Sequence, residues 1–418
     1  MNYTIWCILE RIPTMNQEIK LIKTKFYILE GLYNLGIVIF SATIYLYLEN
    51  IGYTLSEISL FISLFWLISF VTEIPSGMIS DSFGRRNTML LSCLIRAAGL
   101  LFLFISEGEL IYLILGAVLT SIGETLKSGT LDSWLVESVN KINSDEQLDK
   151  IFSMNGIIGK TLGMAGGFIG AQFLGNINLS YPIITGAVLL CITAIFVASF
   201  LKNENTKVKE KLQFNKVYKE FFNSFSEGIR YFRENKSFSY LVVSFLPLTI
   251  ILAGPSNQWQ LFFQGENKSI ITGYLWIFIG SMSIFGTWFI GRLPQLEKKR
   301  MNILIINVIV NSISIAVLTM IESYIAAFAL FLVHVFITAG DEIIRITALH
   351  KNIKNENRAT IISFYYTLEA IFTIVGLVLV GVLSDYFNMN IAWFTCALLG
   401  FVIALPTMIL AKKRGQTL

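Results

Sequence analysis

Twelve runs of about 20 mostly apolar residues follow one another along the chain, each closed by a short polar turn. They cover roughly 26–49, 56–79, 88–106, 110–135, 152–175, 180–201, 239–262, 270–291, 302–321, 324–348, 360–384 and 390–411. The apolar residues are continuous rather than alternating, which predicts helices and not barrel strands, because a helix satisfies its own backbone hydrogen bonds in lipid. One connection is long, 202–238, and it divides the chain into six spans plus six. Within it, Phe221, Phe225, Ile229 and Phe232 recur at helical spacing among Lys and Glu, which predicts an amphipathic helix on the membrane surface. The expected architecture is an all-α membrane protein of two pseudo-symmetric six-helix bundles, 1–201 and 239–418, joined by the linker.

Composition agrees with this pattern. Apolar residues make up 54% of the 418 positions and charged ones 14%, against about 25% in soluble domains. No loop is long enough for a catalytic domain, so an enzyme is not expected. Of the 32 Lys and Arg, 27 fall on the side of the N-terminus and only Lys268 on the other, which predicts that both termini are cytoplasmic in a multi-pass plasma-membrane protein. The first 14 residues lack the continuous apolar region and cleavage site of a signal peptide. Cys7, Cys93, Cys191 and Cys396 are scattered, and His334 and His350 are far apart, so no metal site or cofactor is expected. There is no phosphate-cradling GxxxxGK[ST] loop, which leaves a proton gradient as the expected energy source.

The turn after the second run reads Gly77-Met78-Ile79-Ser80-Asp81-Ser82-Phe83-Gly84-Arg85-Arg86. Gly77 permits close helix approach and Gly84 a backbone turn with positive φ. Asp81 is placed to face the positive N-terminal end of span eleven, which starts near residue 360 on the same side. In a chain of twelve spans, this turn resembles the G-x-x-x-D-[RK]-x-G-[RK]-[RK] loop of the major facilitator superfamily, with Ser82 where a basic residue is usual. A segment Arg358-Ala359-Thr360-Ile361-Ile362-Ser363 after span ten is similar to another found in that family. Gly159, Gly163, Gly166, Gly167 and Gly170 of span five resemble the glycine-rich stretch of its drug:proton antiporters, although the proline of that stretch is absent. A plain packing interface accounts for these glycines nearly as well. The resemblance covers nearly the whole chain. It implies the major facilitator fold and a cytoplasmic gate made of Gly77, Asp81, Gly84, Arg85 and Arg86, with Asp132 or Glu137 as the acid that pairs with Arg85.

Charges within spans cost several kcal/mol unless paired or hydrated. At 1.5 Å per residue, Glu30 lies about 6 Å, Glu73 about 9 Å and Arg96 and Lys160 about 12 Å from the cytoplasmic ends of their helices. Glu124 and Lys127 of span four lie roughly 16 and 12 Å from its inner end. Six charges from five helices therefore share one half of the first bundle, which predicts a paired or water-filled cavity. Tyr33, Asn34, Trp66, Arg96, Glu124, Lys127 and Arg345 are its candidate lining residues. Glu73, beside helix-breaking Pro75, is either a proton carrier or a hydrogen-bonded structural acid. Glu369, with no expected partner in its own helix, Glu30 and Asp341 complete the proton-coupling candidates. The spacing of Glu124 with Lys127, and of Asp341 with Arg345, predicts pairs that neutralise each other within one helix.

These readings lead to a secondary active transporter, with protons and a small-molecule substrate as partners, the lipid bilayer as its setting, no nucleic acid, and a monomeric state. The resemblance, through the acid-Ile-Pro of span two and the gate, implies proton-coupled efflux of a drug-like or amphipathic compound, as in multidrug efflux and antibiotic resistance, and this is the expected activity. Proton-coupled uptake of a polar nutrient is the alternative, and a transporter-shaped sensor or accessory protein that moves nothing is the third reading.

Overall fold

The structure is a computed structural model and describes residues 15–142, 148–202, 214–264, 270–293, 296–353 and 358–413. All regular structure among them is helical. Eleven helical segments are long and apolar enough to cross a membrane, and a bent pair makes twelve. The bent pair is span one, in which Met15–Ser41 and Ile44–Asn50 meet at 49°. Spans two to six are Leu55–Phe83, Arg85–Phe104, Leu110–Lys127, Leu148–Gly175 and Ser180–Phe200. Spans seven to twelve are Lys236–Gln264, Thr272–Arg292, Leu296–Leu318, Tyr324–Asn352, Arg358–Tyr386 and Met389–Lys413. Span four is followed by a short helix, Thr130–Lys141, after a turn through Gly129 at φ +64°. Span five ends in a π-helical turn, Ile169–Gly175.

Local chemistry sets these boundaries. Span two opens on a capping box, in which Thr54 Oγ1 accepts from the Glu57 amide and the Glu57 carboxylate accepts from the Thr54 amide. It runs through Pro75 without a break and ends at Gly84, whose φ of +82° turns the chain into span three. The outward faces carry large apolar side chains such as Ile195, 65% exposed, and Ile325, 81% exposed. Lipid accepts such surfaces at no cost, whereas in water they would drive aggregation.

The helices pack in two groups. Spans three and four, three and six, two and four, one and six, and one and five are neighbours in the first. Spans eight and ten, nine and ten, nine and twelve, and seven with eleven and twelve are neighbours in the second. The groups meet along spans two and eleven, and along five and eight. Their side-chain contacts lie towards the face opposite the central linker, here called the far face. Asp385, at the end of span eleven, accepts from the amides of Leu55 at 2.9 Å and Ser56 at 2.8 Å, capping span two from the other group. Asn176, at the end of span five, exchanges two hydrogen bonds with the backbone of Ile270, just before span eight. Gln260 of span seven bonds the Ser41 carbonyl and the Tyr45 amide at the bend of span one.

The linker helix, Phe214–Glu234, forms where expected and part of its apolar face docks on protein: Phe225 and Phe232 pack on Phe364 of span eleven, and Gly228 lies against the same ring. The Phe221 side chain lies outside the described residues. Span seven begins at Lys236, inside the segment expected to be linker.

Candidate functional site

The intramembrane charges of the first group are paired between helices. Span one presents Glu30, Tyr33 and Asn34 on one face, since residues three and four apart are neighbours on a helix. Spans three and four approach closely because Gly99, Gly116 and Gly123 bring their backbones together; a Cβ at Gly123 would strike Arg96. Arg96 forms an ion pair with Glu124 and donates to the Tyr33 hydroxyl at 3.0 Å. Ser92 Oγ lies 3.3 Å from the same hydroxyl and donates to the Gly123 carbonyl at 2.6 Å. Lys127 pairs with Glu30 at 3.0 Å. Both cations also lie against the Tyr33 ring, at 5.6 and 5.7 Å from its centroid, within the range of cation–π attraction. The expectation that Glu124 and Lys127 neutralise each other is therefore wrong, because closer partners stand on the facing helices.

These side chains border a cavity of about 640 Å³ whose lining comes from spans one to five. Asn34, Trp66, Glu73 and Lys160 complete its chemistry. Asn34 donates to the Gly159 carbonyl at 3.1 Å, and Ser128 donates to the exposed Glu73 carboxylate at 2.9 Å. Glu73 pairs with neither Arg96 nor Lys160, the partners its depth suggests, and Lys160 has no ion pair among the described residues. Trp66 is 46% exposed along the wall. Two residues of each sign are bound in pairs, and one of each is left to face the interior. Among the described residues no group of three His, Cys, Asp or Glu is arranged to hold a metal ion.

A further lobe of about 260 Å³ shares Ile37, Phe65 and Arg96 with this cavity and reaches the second group of helices. There Ser256, Asn257, Trp259 and Gln260 of span seven and Trp276 of span eight line it. Sequence reasoning did not single these out as lining. The signal was the string Gly254-Pro255-Ser256-Asn257, a proline that removes one helix hydrogen bond followed by polar residues inside an apolar run.

The charges of the second group stand apart and line neither space. Asn307 donates to Asp341 at 2.5 Å, while Arg345 pairs with Glu369 of span eleven at 3.3 Å. Tyr365, one turn before Glu369, donates to it at 2.9 Å. Glu369 thus has a polar partner in its own helix as well as a cation on span ten, and Arg345 is no cavity residue. His334 and Asn311 are joined at 2.5 Å.

In the turn after span two, Arg85 bridges Asp81 at 2.9 Å, Glu137 at 3.0 Å and the Ser80 hydroxyl at 2.7 Å. Of the two acids expected for Arg85, Glu137 is the one in contact, and Asp132 forms no ion pair among the described residues. Arg86 reaches the Ala198 carbonyl at 3.4 Å. Asp81 is held by Arg85 and has no bond to span eleven among the described residues, and a Cβ on Gly77 would meet nothing, so no close helix approach is made there. The glycines of span five do serve packing: Gly166 lies on Leu35 and Val38, Gly170 on the Ile39 backbone, and Gly167 on Trp276 of the other group.

Comparisons with known proteins agree with this architecture. The nucleoside transporter NupG superposes over 94% of this chain and 99% of its own, with a TM-score of 0.75 at 14% identity. A POT family transporter in complex with 5-aminolevulinic acid covers 94% and 96% with a TM-score of 0.70 at 12% identity. A peptide transporter POT in complex with sulfate covers 94% and 95%, again with 0.70, at 14% identity. At such identities the likeness is one of fold. No curated protein matches the chain in sequence. The family model of the Major Facilitator Superfamily matches residues 26–365, so the chain belongs to that superfamily of membrane transporters and is not an enzyme.

Proposed function

We propose that the protein is a secondary active transporter that moves a small, polar, charged solute by alternating access, coupled to protons. The observation that carries this reading is the cavity with Glu30, Glu73 and Glu124 against Arg96, Lys127 and Lys160. Three acids and three bases suit a solute bearing both charges, and Tyr33, Asn34, Ser69 and Asn155 add hydrogen-bonding groups to its wall. Such a lining favours uptake of a nutrient over export of a drug-like compound. Phe65 and Trp66 support the second reading, efflux of an amphipathic molecule, since they offer aromatic surface beside the charges.

The excess of Lys and Arg on the linker face supports a cytoplasmic side for that face and both termini, and the membrane is taken to be the plasma membrane. The cavity then opens inward beneath the far-face contacts. Two carboxylates at opposite ends of the span two and eleven pair support alternation. Asp385 engages the start of span two on the far face, while Asp81 faces the side where span eleven begins and is held by Arg85. Closing the cytoplasmic face would bring Asp81 to span eleven as Asp385 lets go of span two.

One expected result concerns that exchange. Asp385→Ala removes the acceptor of two helix N-terminal amides, worth about 1 kcal/mol and up to about 2 for such groups. The population should shift about tenfold towards the outward-open state. Electron–electron resonance between spin labels at Leu110 and Glu322 should show a longer far-face distance in the variant, and an unchanged distribution would count against the latch.

Coupling is tested in vesicles with an imposed pH gradient. Glu73→Gln and Glu369→Gln are each expected to lower gradient-driven accumulation at least tenfold, while solute exchange without a gradient persists if the residue carries the proton alone. If both variants accumulate solute as wild type does, the proton-carrier assignment fails. If no pH change accompanies wild-type transport, coupling to protons fails.

A further inference from the structure

The lobe between the two groups of helices is not accounted for by a charged solute alone. It holds about 260 Å³, roughly the space of eight or nine waters at about 30 Å³ each. Its walls are aromatic: Phe61 and Phe65 of span two face Trp259 and Trp276, which lie stacked with centroids 6.2 Å apart and planes at 30°. Ser256 is exposed within it, and Asn257 donates to the Ala253 carbonyl at 2.9 Å, leaving its carbonyl oxygen for a ligand. Arg96 stands where lobe and main cavity join. It is only 6% exposed, yet its Nε has no hydrogen-bond partner among the described residues. The same is true of Oε1 of Glu30, which is 8% exposed. A buried cation where cavity and lobe join, and a buried anion in the wall of the main cavity, each keep an unused hydrogen-bonding atom beside an aromatic slot that opens from that cavity.

We propose that the solute is an aromatic zwitterion. Its carboxylate binds Arg96, its ammonium group binds Glu30, and its ring enters the lobe against Phe65 and Trp276, with Ser256 and Asn257 at the ring edge. The inference deepens the transport reading above and rests on it. The ring gives the solute a contact with both groups of helices, as a substrate that couples their movement requires, whereas the main cavity belongs to the first group alone.

Equilibrium binding to the full-length protein in nanodiscs, with no gradient, tests the idea. The probes are radiolabelled L-tryptophan, with charges and ring, L-alanine, with charges only, and indole, with ring only. L-Tryptophan is expected to bind at least tenfold more tightly than either of the others. Ser256→Trp fills the lobe from an exposed position and should weaken L-tryptophan at least tenfold while leaving L-alanine unchanged. Asn257→Ala, which adds no bulk, should weaken it several-fold, so that a misfolded Ser256→Trp variant does not decide the outcome. Equal binding of L-tryptophan and L-alanine, no binding of either, or tight L-tryptophan binding to both variants overturns the inference. Transport is read separately: solute-linked proton movement without L-tryptophan binding would sink this inference alone, and binding without transport would sink the transport reading alone.

Discussion

Gly170→Ala is expected to abolish most of the folded protein, while Gly163→Ala, seven residues earlier on the same helix, leaves it intact or slightly more stable. Both glycines belong to the small-residue stretch of span five, and their sequence context does not distinguish them. A Cβ on Gly170 would overlap the carbonyl oxygen of Ile39, with the carbonyl carbon and Cα of the same residue close behind. Backbone atoms cannot turn aside as a flexible side chain can, so spans one and five would have to separate. Overpacking usually costs 1–3 kcal/mol and occasionally more; about 3 kcal/mol is expected here because the obstacle is main chain. Separation would also disturb the bend of span one, where Ser41 and Tyr45 meet Gln260 of the other group. A Cβ on Gly163 would meet nothing within 4 Å, and alanine gains up to about 1 kcal/mol over glycine in a helix. Fluorescence-detected size exclusion after heating in detergent separates the two variants. Equal apparent melting temperatures would show that the close approach at Gly170 is not needed.

What the sequence made legible, and what it concealed, follows from the range over which each signal acts. The apolar runs, the positive φ of Gly84 and the helix in the linker come from periodicity and local backbone chemistry, which a single sequence displays. Partner choice is another matter. Residues three or four apart always look like partners when only one helix is in view, so Glu124 with Lys127 and Asp341 with Arg345 seemed self-sufficient. The true contacts depend on which helices are brought close, by Gly99, Gly116 and Gly123 for Glu124 and by the approach of spans nine and eleven to span ten for Asp341 and Arg345, a property of each packed bundle. The docking of Phe225 and Phe232 on Phe364 was hidden for a similar reason, because an apolar stripe suits a lipid surface and a protein surface equally. The break of span one at Ser41–Ile44 carries neither Pro nor Gly and left no mark to read. Ser256 and Asn257 are legible from the proline beside them, although they carry no charge to mark them inside the apolar run.

Breaking the pair between Glu30 and Lys127 tests the cross-helix arrangement directly. Lys127→Met leaves Glu30, 8% exposed, without its cation, and Glu30→Gln leaves Lys127 without its anion in the same polar pocket. Removing one partner of a buried pair costs about 3–5 kcal/mol, because the remaining charge stays desolvated. The lower end of that range applies, since the Lys127 side chain is 24% exposed to the cavity and retains the Tyr33 ring beneath it. The double variant, Glu30→Gln with Lys127→Met, removes both charges together and should regain most of the lost stability, giving a coupling of about 2 kcal/mol or more in the double-mutant cycle. A pair internal to span four predicts something else: Glu124→Gln would then couple to Lys127→Met, and Glu30→Gln would not. Chemical denaturation in detergent micelles gives the stabilities of all six proteins, wild type, the three single variants and the two double variants of Lys127→Met with Glu30→Gln and with Glu124→Gln. Coupling of Lys127 to Glu124 in place of Glu30 would overturn the arrangement. It would also undo the charge balance of the cavity, because Arg96 would lose its acid and stand as an uncompensated cation beside Tyr33.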